Sequence, residues 1–116
     1  MKYFTRKEFE CNCGCGFDTV DFELIEVLDD LRNFFNRPIT VNSGCRCEKH
    51  NKAEGGESGS MHLTGKAADV VVKNVAPGIV ANYLETKYSN KYGIGRYYGR
   101  THIDVRPNKA RWVKET

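Results

Sequence analysis

His62, Asp69 and His102 are residue types that could hold a metal ion. Imidazole nitrogen and carboxylate oxygen are ordinary zinc donors. Three of them leave a fourth position for water, which is the pattern of a catalytic site rather than a closed structural one. Water held by such an ion loses its proton near neutrality and can attack a carbonyl. Asp69 stands inside Ala67-Ala68-Asp69-Val70-Val71-Val72, which is otherwise apolar. A carboxylate buried in a strand is costly unless a partner or a cation meets it. His62 lies just ahead of this segment, and His102 belongs to Thr101-His102-Ile103-Asp104-Val105-Arg106. In a strand, alternation puts His102, Asp104 and Arg106 on one face and Ile103 and Val105 on the other. Structural readings of the same residues stay open. Asp69 could pair with Arg46 or Lys66, Asp104 could pair with Arg106, and a single histidine is often structural.

The cysteines are a second set with metal chemistry. There are five, Cys11, Cys13 and Cys15 in one cluster and Cys45 and Cys47 in another. An odd number without an export signal argues against a complete disulfide framework. C-x-C-x-C also differs from the two-residue spacing of a zinc knuckle. The expectation is free thiols on a tight glycine-rich turn. The alternative is that the two clusters meet in space as a structural thiolate site.

The rest of the chain has to position these groups. Its 116 residues make one domain, 1–116, and 40% apolar content is enough for a core. Charged residues at 28% argue against disorder. The net charge of +3 is dispersed, so no nucleic-acid partner is expected. No apolar run reaches the roughly 18–20 residues of a membrane span, so no membrane partner is expected either. The opening Met-Lys-Tyr-Phe-Thr-Arg-Lys has no apolar core of a signal peptide, so synthesis is expected to leave the chain in the cytoplasm.

From Asp18 the spacing predicts a helix. Phe22, Ile25, Leu28 and Leu31 form a stripe that Leu24, Val27, Phe34 and Phe35 widen. Asp18 or Asp21 would cap it, and Asn36 and Pro38 would end it. Pro38 to Asn42 reads as a strand, residues 43–61 as a long functional loop, and Ala67 to Val72 as a buried strand. Ala76 to Tyr88 reads as a second helix, with Pro77 in its first turn and Ile79, Val80, Tyr83 and Leu84 inside. Gly93 to Tyr97 and Thr101 to Val105 read as two strands joined by a short turn. Phe4 and Phe9 would anchor the irregular N-terminal segment. The expected fold is α+β, a small, mostly antiparallel sheet with two packed helices and a long active-site loop.

Ser60, His62, Gly65, Ala67 and Asp69 fit S-x-H-x-x-G-x-A-x-D, and His102 follows in H-x-D with Asp104. Ser43-Gly44-Cys45-Arg46, His50-Asn51, Gly55-Gly56, Gly93, Gly95, Tyr97 and Arg111-Trp112 extend the pattern, as does Phe4 to Gly16. In these motifs the chain resembles the D-alanyl-D-alanine carboxypeptidase family of zinc peptidases, peptidase family M15, in its short H-x-D subfamily. The resemblance implies a Hedgehog/DD-peptidase-like fold with zinc held by His62, Asp69 and His102. It implies that Arg46 binds and polarises the substrate carbonyl or carboxylate, and that Ser60 contacts substrate. It also implies hydrolysis of peptidoglycan peptides by a carboxypeptidase or endopeptidase, in the manner of a phage lysin freed at lysis or carried in the virion. A monomer is expected. Many members carry an acidic base three residues before the last histidine, and others a second histidine two before it; here Gly99 and Arg100 stand in those places. Asp104 is then the best carboxylate for a catalytic role, with orienting a ligand the preferred one, and Glu54 or Glu57 is a third candidate for the base. The alternative function is a non-catalytic, zinc-containing binding module, as in the related signalling domain of Hedgehog proteins.

Overall fold

The computed structural model describes residues 2–114. Helix α1 spans Phe22–Phe35 and begins where the Asp21 side chain accepts from the Glu23 N–H. It ends at Asn36, which takes a left-handed conformation. Of the two expected caps, Asp18 and Asp21, it is Asp21 that starts the helix. The Asp21 N–H is given to the Gly65 carbonyl at 2.8 Å, so residues 18–20 lie against that loop instead of turning. Leu24, Ile25, Val27, Leu28 and Leu31 form the buried face. Phe22, at the first turn, is 75% exposed, so the stripe begins two residues later than its spacing predicts. Phe34 is exposed too, but its ring stacks on Tyr83 at 3.9 Å.

The sheet has five strands: β1 Ile39–Ser43, β2 Ala67–Val72, β3 Gly93–Arg96, β4 Thr101–Asp104 and β5 Ala110–Val113. Their spatial order is β1-β2-β4-β3-β5. All neighbours are antiparallel except β3 and β5. The edge strand β5 has no signature in the sequence, since three half-exposed residues and the exposed Val113 have no clear alternation. Helix α2, Glu48–Ala53, lies within the expected loop of residues 43–61. It buries only Asn51 and has no apolar stripe to betray it. Helix α3 spans Pro77–Lys87 and buries Val80, Ala81 and Leu84. Ile79, expected inside, is exposed, and Ala81 takes the inner face.

The fold is thus α+β, with three helices and a mostly antiparallel sheet. One apolar cluster joins α1, α3, the inner residues of β2 to β4, and Phe4 and Phe9 of the N-terminal segment. That leaves the other sheet face free for polar side chains.

Candidate metal centre

Cross-strand register builds the site. Asp69 pairs with Ser43 on β1 and with His102 on β4, His102 pairs with Gly95 on β3, and Gly95 pairs with Trp112 on β5. One row across the sheet therefore carries Ser43, Asp69, His102, Gly95 and Trp112. Directly paired residues share a face, so this row gathers its polar groups without help from loops. Gly95 has a steric reason to be glycine. A Cβ there would stand 2.4 Å from the Trp112 Nε1, so the bare backbone lets the indole lie beside His102, with ring centroids 5.0 Å apart. In the adjacent row, a Cβ on Gly93 would stand 2.4 Å from the Asp104 carboxylate.

His62 arrives from outside the sheet, on the 3-10 turn Met61–Thr64. Ser60 caps this turn, its hydroxyl oxygen accepting from the His62 N–H at 3.2 Å. Gly65 ends it at φ 68°, where a Cβ would strike the Thr19 carbonyl. The His62 Nδ1–H donates to the Gly44 carbonyl at 2.6 Å, which leaves Nε2 free and 3.6 Å from the Asp69 Oδ1. The His102 Nε2–H donates to the Asp104 Oδ2 at 2.7 Å, which leaves Nδ1 free and 3.0 Å from the same Asp69 oxygen. Both tautomers follow from these outer partners.

The donor set fits a zinc ion. The free atoms of His62, Asp69 and His102 lie within 4.8 Å of one another, and all three residues are buried. Tetrahedral ligands at about 2.0–2.1 Å from zinc stand about 3.3 Å apart, between the two distances above. Each histidine has its outer nitrogen anchored to a carbonyl or a carboxylate, as ligating histidines usually do. The electrostatics ask for positive charge at the same point. Burial would raise the Asp69 pKa, but His102 and His62 hold its carboxyl well below the usual carboxylate range. Burial would lower His102, but Asp104 and Asp69 raise its pKa instead. A divalent cation on the Nδ1 side of His102 would meet that demand.

Asp104 is fully buried and faces β4's polar side. Besides His102, it accepts from the Arg106 guanidinium at 2.7 Å on each oxygen. Burial opposes its ionisation, yet His102 and Arg106 keep it a carboxylate. It has no open path to the cleft beside the metal donors.

That cleft has a volume of about 540 Å³. Arg46, Arg100, Arg106 and Lys114 line it, together with Glu54 and Glu57. Arg46 reaches Asp69 at 3.4 Å and also donates to Ser43 at 3.0 Å and Asn51 at 3.2 Å. The ion pair with Asp69, one of the structural readings of this carboxylate, is therefore formed, and the same guanidinium faces the cleft. Ser60 faces the cleft while its oxygen caps the turn, a capping role that its motif alone does not reveal.

Sequence reasoning also misses Arg100. Its Nε lies 3.8 Å from the Asp69 Oδ2, and its guanidinium lies 4.1 Å from the Tyr97 ring centre. The signal is there, since Arg100 precedes His102 by two and so shares its face. Asn51 ties the loop to the site by donating to the Glu57 carbonyl at 2.8 Å. Among the described residues, no helix is long and apolar enough to cross a membrane.

A search of curated proteins returned no match to this chain. A family model described as peptidase M15 matches residues 2–104, from the N-terminal segment through His102 and Asp104. With the His62, Asp69 and His102 donors converging inside that span, the chain belongs to the peptidase M15 family.

Proposed function

We propose that this peptidase is zinc-dependent and hydrolyses amide bonds in peptidoglycan peptides, as a carboxypeptidase or an endopeptidase. The observation that carries the reading is the free nitrogen on each histidine. His62 Nε2 and His102 Nδ1 both turn toward Asp69 because Gly44 and Asp104 occupy the opposite nitrogens. A zinc ion held there supplies Lewis acidity toward water and toward the scissile carbonyl.

The chain's own residues do the rest. Asp104 orients His102 and keeps its tautomer. Arg46 stands beside Asp69 and offers hydrogen bonds to a substrate carboxylate or to the developing oxyanion. The cationic lining from Arg46, Arg100 and Lys114 suits a peptide that ends in a carboxylate. Ser60 can turn its O–H toward the bound peptide. Glu57 is the carboxylate best placed to carry a proton. It lines the cleft, is exposed to solvent, and forms no ion pair among the described residues, whereas Glu54 faces His50 at 3.5 Å. A lysin freed at host lysis or carried in a phage particle is the biological setting proposed for such an enzyme.

A second reading, a zinc-containing binding module without catalysis, draws on one observation. Gly99 offers no side chain, and Asp104 is sealed behind His102 and Arg106. One experiment separates the two. Purified peptidoglycan is incubated with the wild type, with a chelator-treated sample and with Asp69→Asn, and new amino groups are measured. Release by the wild type alone is expected. No release by a zinc-loaded wild type that still binds peptidoglycan would favour the binding module.

A further inference from the structure

The peptidase reading makes no use of the cysteines, yet the fold assembles four of them. Cys11 Sγ lies 3.4 Å from Cys13 Sγ and 3.9 Å from Cys47 Sγ. Cys13 Sγ lies 3.6 Å from Cys47 Sγ. With Cys15, the four sulfurs fall within 4.8 Å of one another. Bonded sulfurs stand about 2.05 Å apart, so these are not disulfides. Four sulfurs at about 2.3 Å around one tetrahedral zinc stand about 3.8 Å from each other, close to the separations found here.

The backbone is shaped to this cluster. Gly14 and Gly16 adopt φ values of 83° and 92°, which let the chain reverse between the cysteines. The Cys11 N–H donates to the Phe17 carbonyl at 2.8 Å and closes the turn. Two backbone N–H groups point at sulfur, Cys47 N to Cys11 Sγ at 3.5 Å and His50 N to Cys47 Sγ at 3.4 Å. Such donors favour a thiolate over a thiol. Cys45 stays out of the cluster, buried in the core.

We infer that Cys11, Cys13, Cys15 and Cys47 form a closed structural zinc site, separate from the His62, Asp69 and His102 centre. Four protein thiolates leave no position for water, which sets this site apart from an open catalytic one. Its work is to clamp the N-terminal segment onto the loop that leaves β1. The two segments already touch there, with Cys45 N donating to the Phe9 carbonyl at 2.8 Å. A Cβ on Gly44 would lie 2.9 Å from the Phe9 Cα, so the contact is close. Arg46 sits between Cys45 and Cys47, so the clamp also fixes the backbone that aims Arg46 into the cleft.

The test is metal stoichiometry on the full chain, purified under reducing conditions with zinc and then freed of loose metal. The wild type should hold two zinc ions. Asp69→Asn should keep one, and the double variant Cys13→Ser/Cys15→Ser should keep one. Cobalt in place of zinc in Asp69→Asn should show thiolate-to-cobalt charge-transfer absorption. Native wild type should expose its thiols to a thiol reagent only after a chelator is added, a readout that stands even if the double variant fails to fold. The inference is overturned if Asp69→Asn holds no metal, if the thiols react freely without chelator, or if the visible spectrum is that of an iron–sulfur cluster. Failure of the peptidase reading would show as absent cleavage, or as a wild type with one ion, and would leave the single thiolate-held ion of Asp69→Asn in place.

Discussion

Two neighbouring residues, Arg46 and Cys47, point into two different donor clusters, and the clusters are built in opposite ways. The His62, Asp69 and His102 centre rests on the sheet. Its donors come from paired strands and one capped turn, each histidine has an outer partner, and a cleft opens onto it. The cysteine cluster rests on a glycine-bearing loop at the surface. Three of its four members come from five consecutive residues, and Cys13 and Cys15 are exposed. The difference teaches what each can do. Catalysis needs donors held rigidly beside room for substrate, so strands and buried hydrogen bonds carry them. A structural clamp needs only closure around an ion, so a pliable loop suffices.

Arg46→Lys breaks the comparison most sharply, because it alters the cleft and leaves both donor sets in place. Lysine keeps the charge but loses the planar fork. Loss of an oxyanion donor costs about 2.7–4 kcal/mol, so kcat/KM should fall by about 100- to 1000-fold. Metal content and melting temperature on the same sample should match the wild type. If Arg46 only pairs with Asp69, stability or metal would fall instead, with activity per loaded molecule unchanged.

Asp104→Asn tests whether outer partners govern the sheet-built centre. The asparagine can still accept from His102 but no longer balances the Arg106 guanidinium. Loss of such a partner weakens metal binding by about 10- to 100-fold. Competition with a zinc chelator should show this for one ion while the thiolate-held ion keeps its affinity. Equal weakening of both would mean that the two clusters are not independent.

Gly95→Ala has the smallest expected effect and probes rigidity itself. The added Cβ would stand 2.4 Å from the Trp112 Nε1 and force the indole away from His102. Overpacking of this kind costs about 1–3 kcal/mol, readable as a lower urea midpoint with unchanged slope. A midpoint equal to wild type would show that β5 yields without strain, and that the indole does not confine the histidine.

Much of the fold can be read along the chain, and the reasons are local. The apolar spacing after Asp21, the alternation in residues 101–105 and the apolar run around Asp69 each record how one element meets the core. Helix α2 and strand β5 carry no such record, because five polar residues with Ala53, and three half-exposed residues with the exposed Val113, bury too little to leave a pattern. That Asp21 and not Asp18 starts α1 reflects the Asp21 to Gly65 hydrogen bond, a contact between segments far apart in sequence.

The same division runs through the two clusters. The types of His62, Asp69 and His102 offer metal-ligand chemistry in the chain itself, since a carboxylate in an apolar strand needs a counter-charge wherever that strand goes, and the spacing with Ser60 and Gly65 carries the family resemblance. Tertiary structure decided which nitrogen of each histidine is free, that Asp104 is sealed behind His102, and that Arg100 joins the cleft. It alone decided that Cys47 meets Cys11, Cys13 and Cys15 while Cys45 turns into the core. Residue chemistry is written along the chain, but convergence depends on distances between segments that only the packed fold sets.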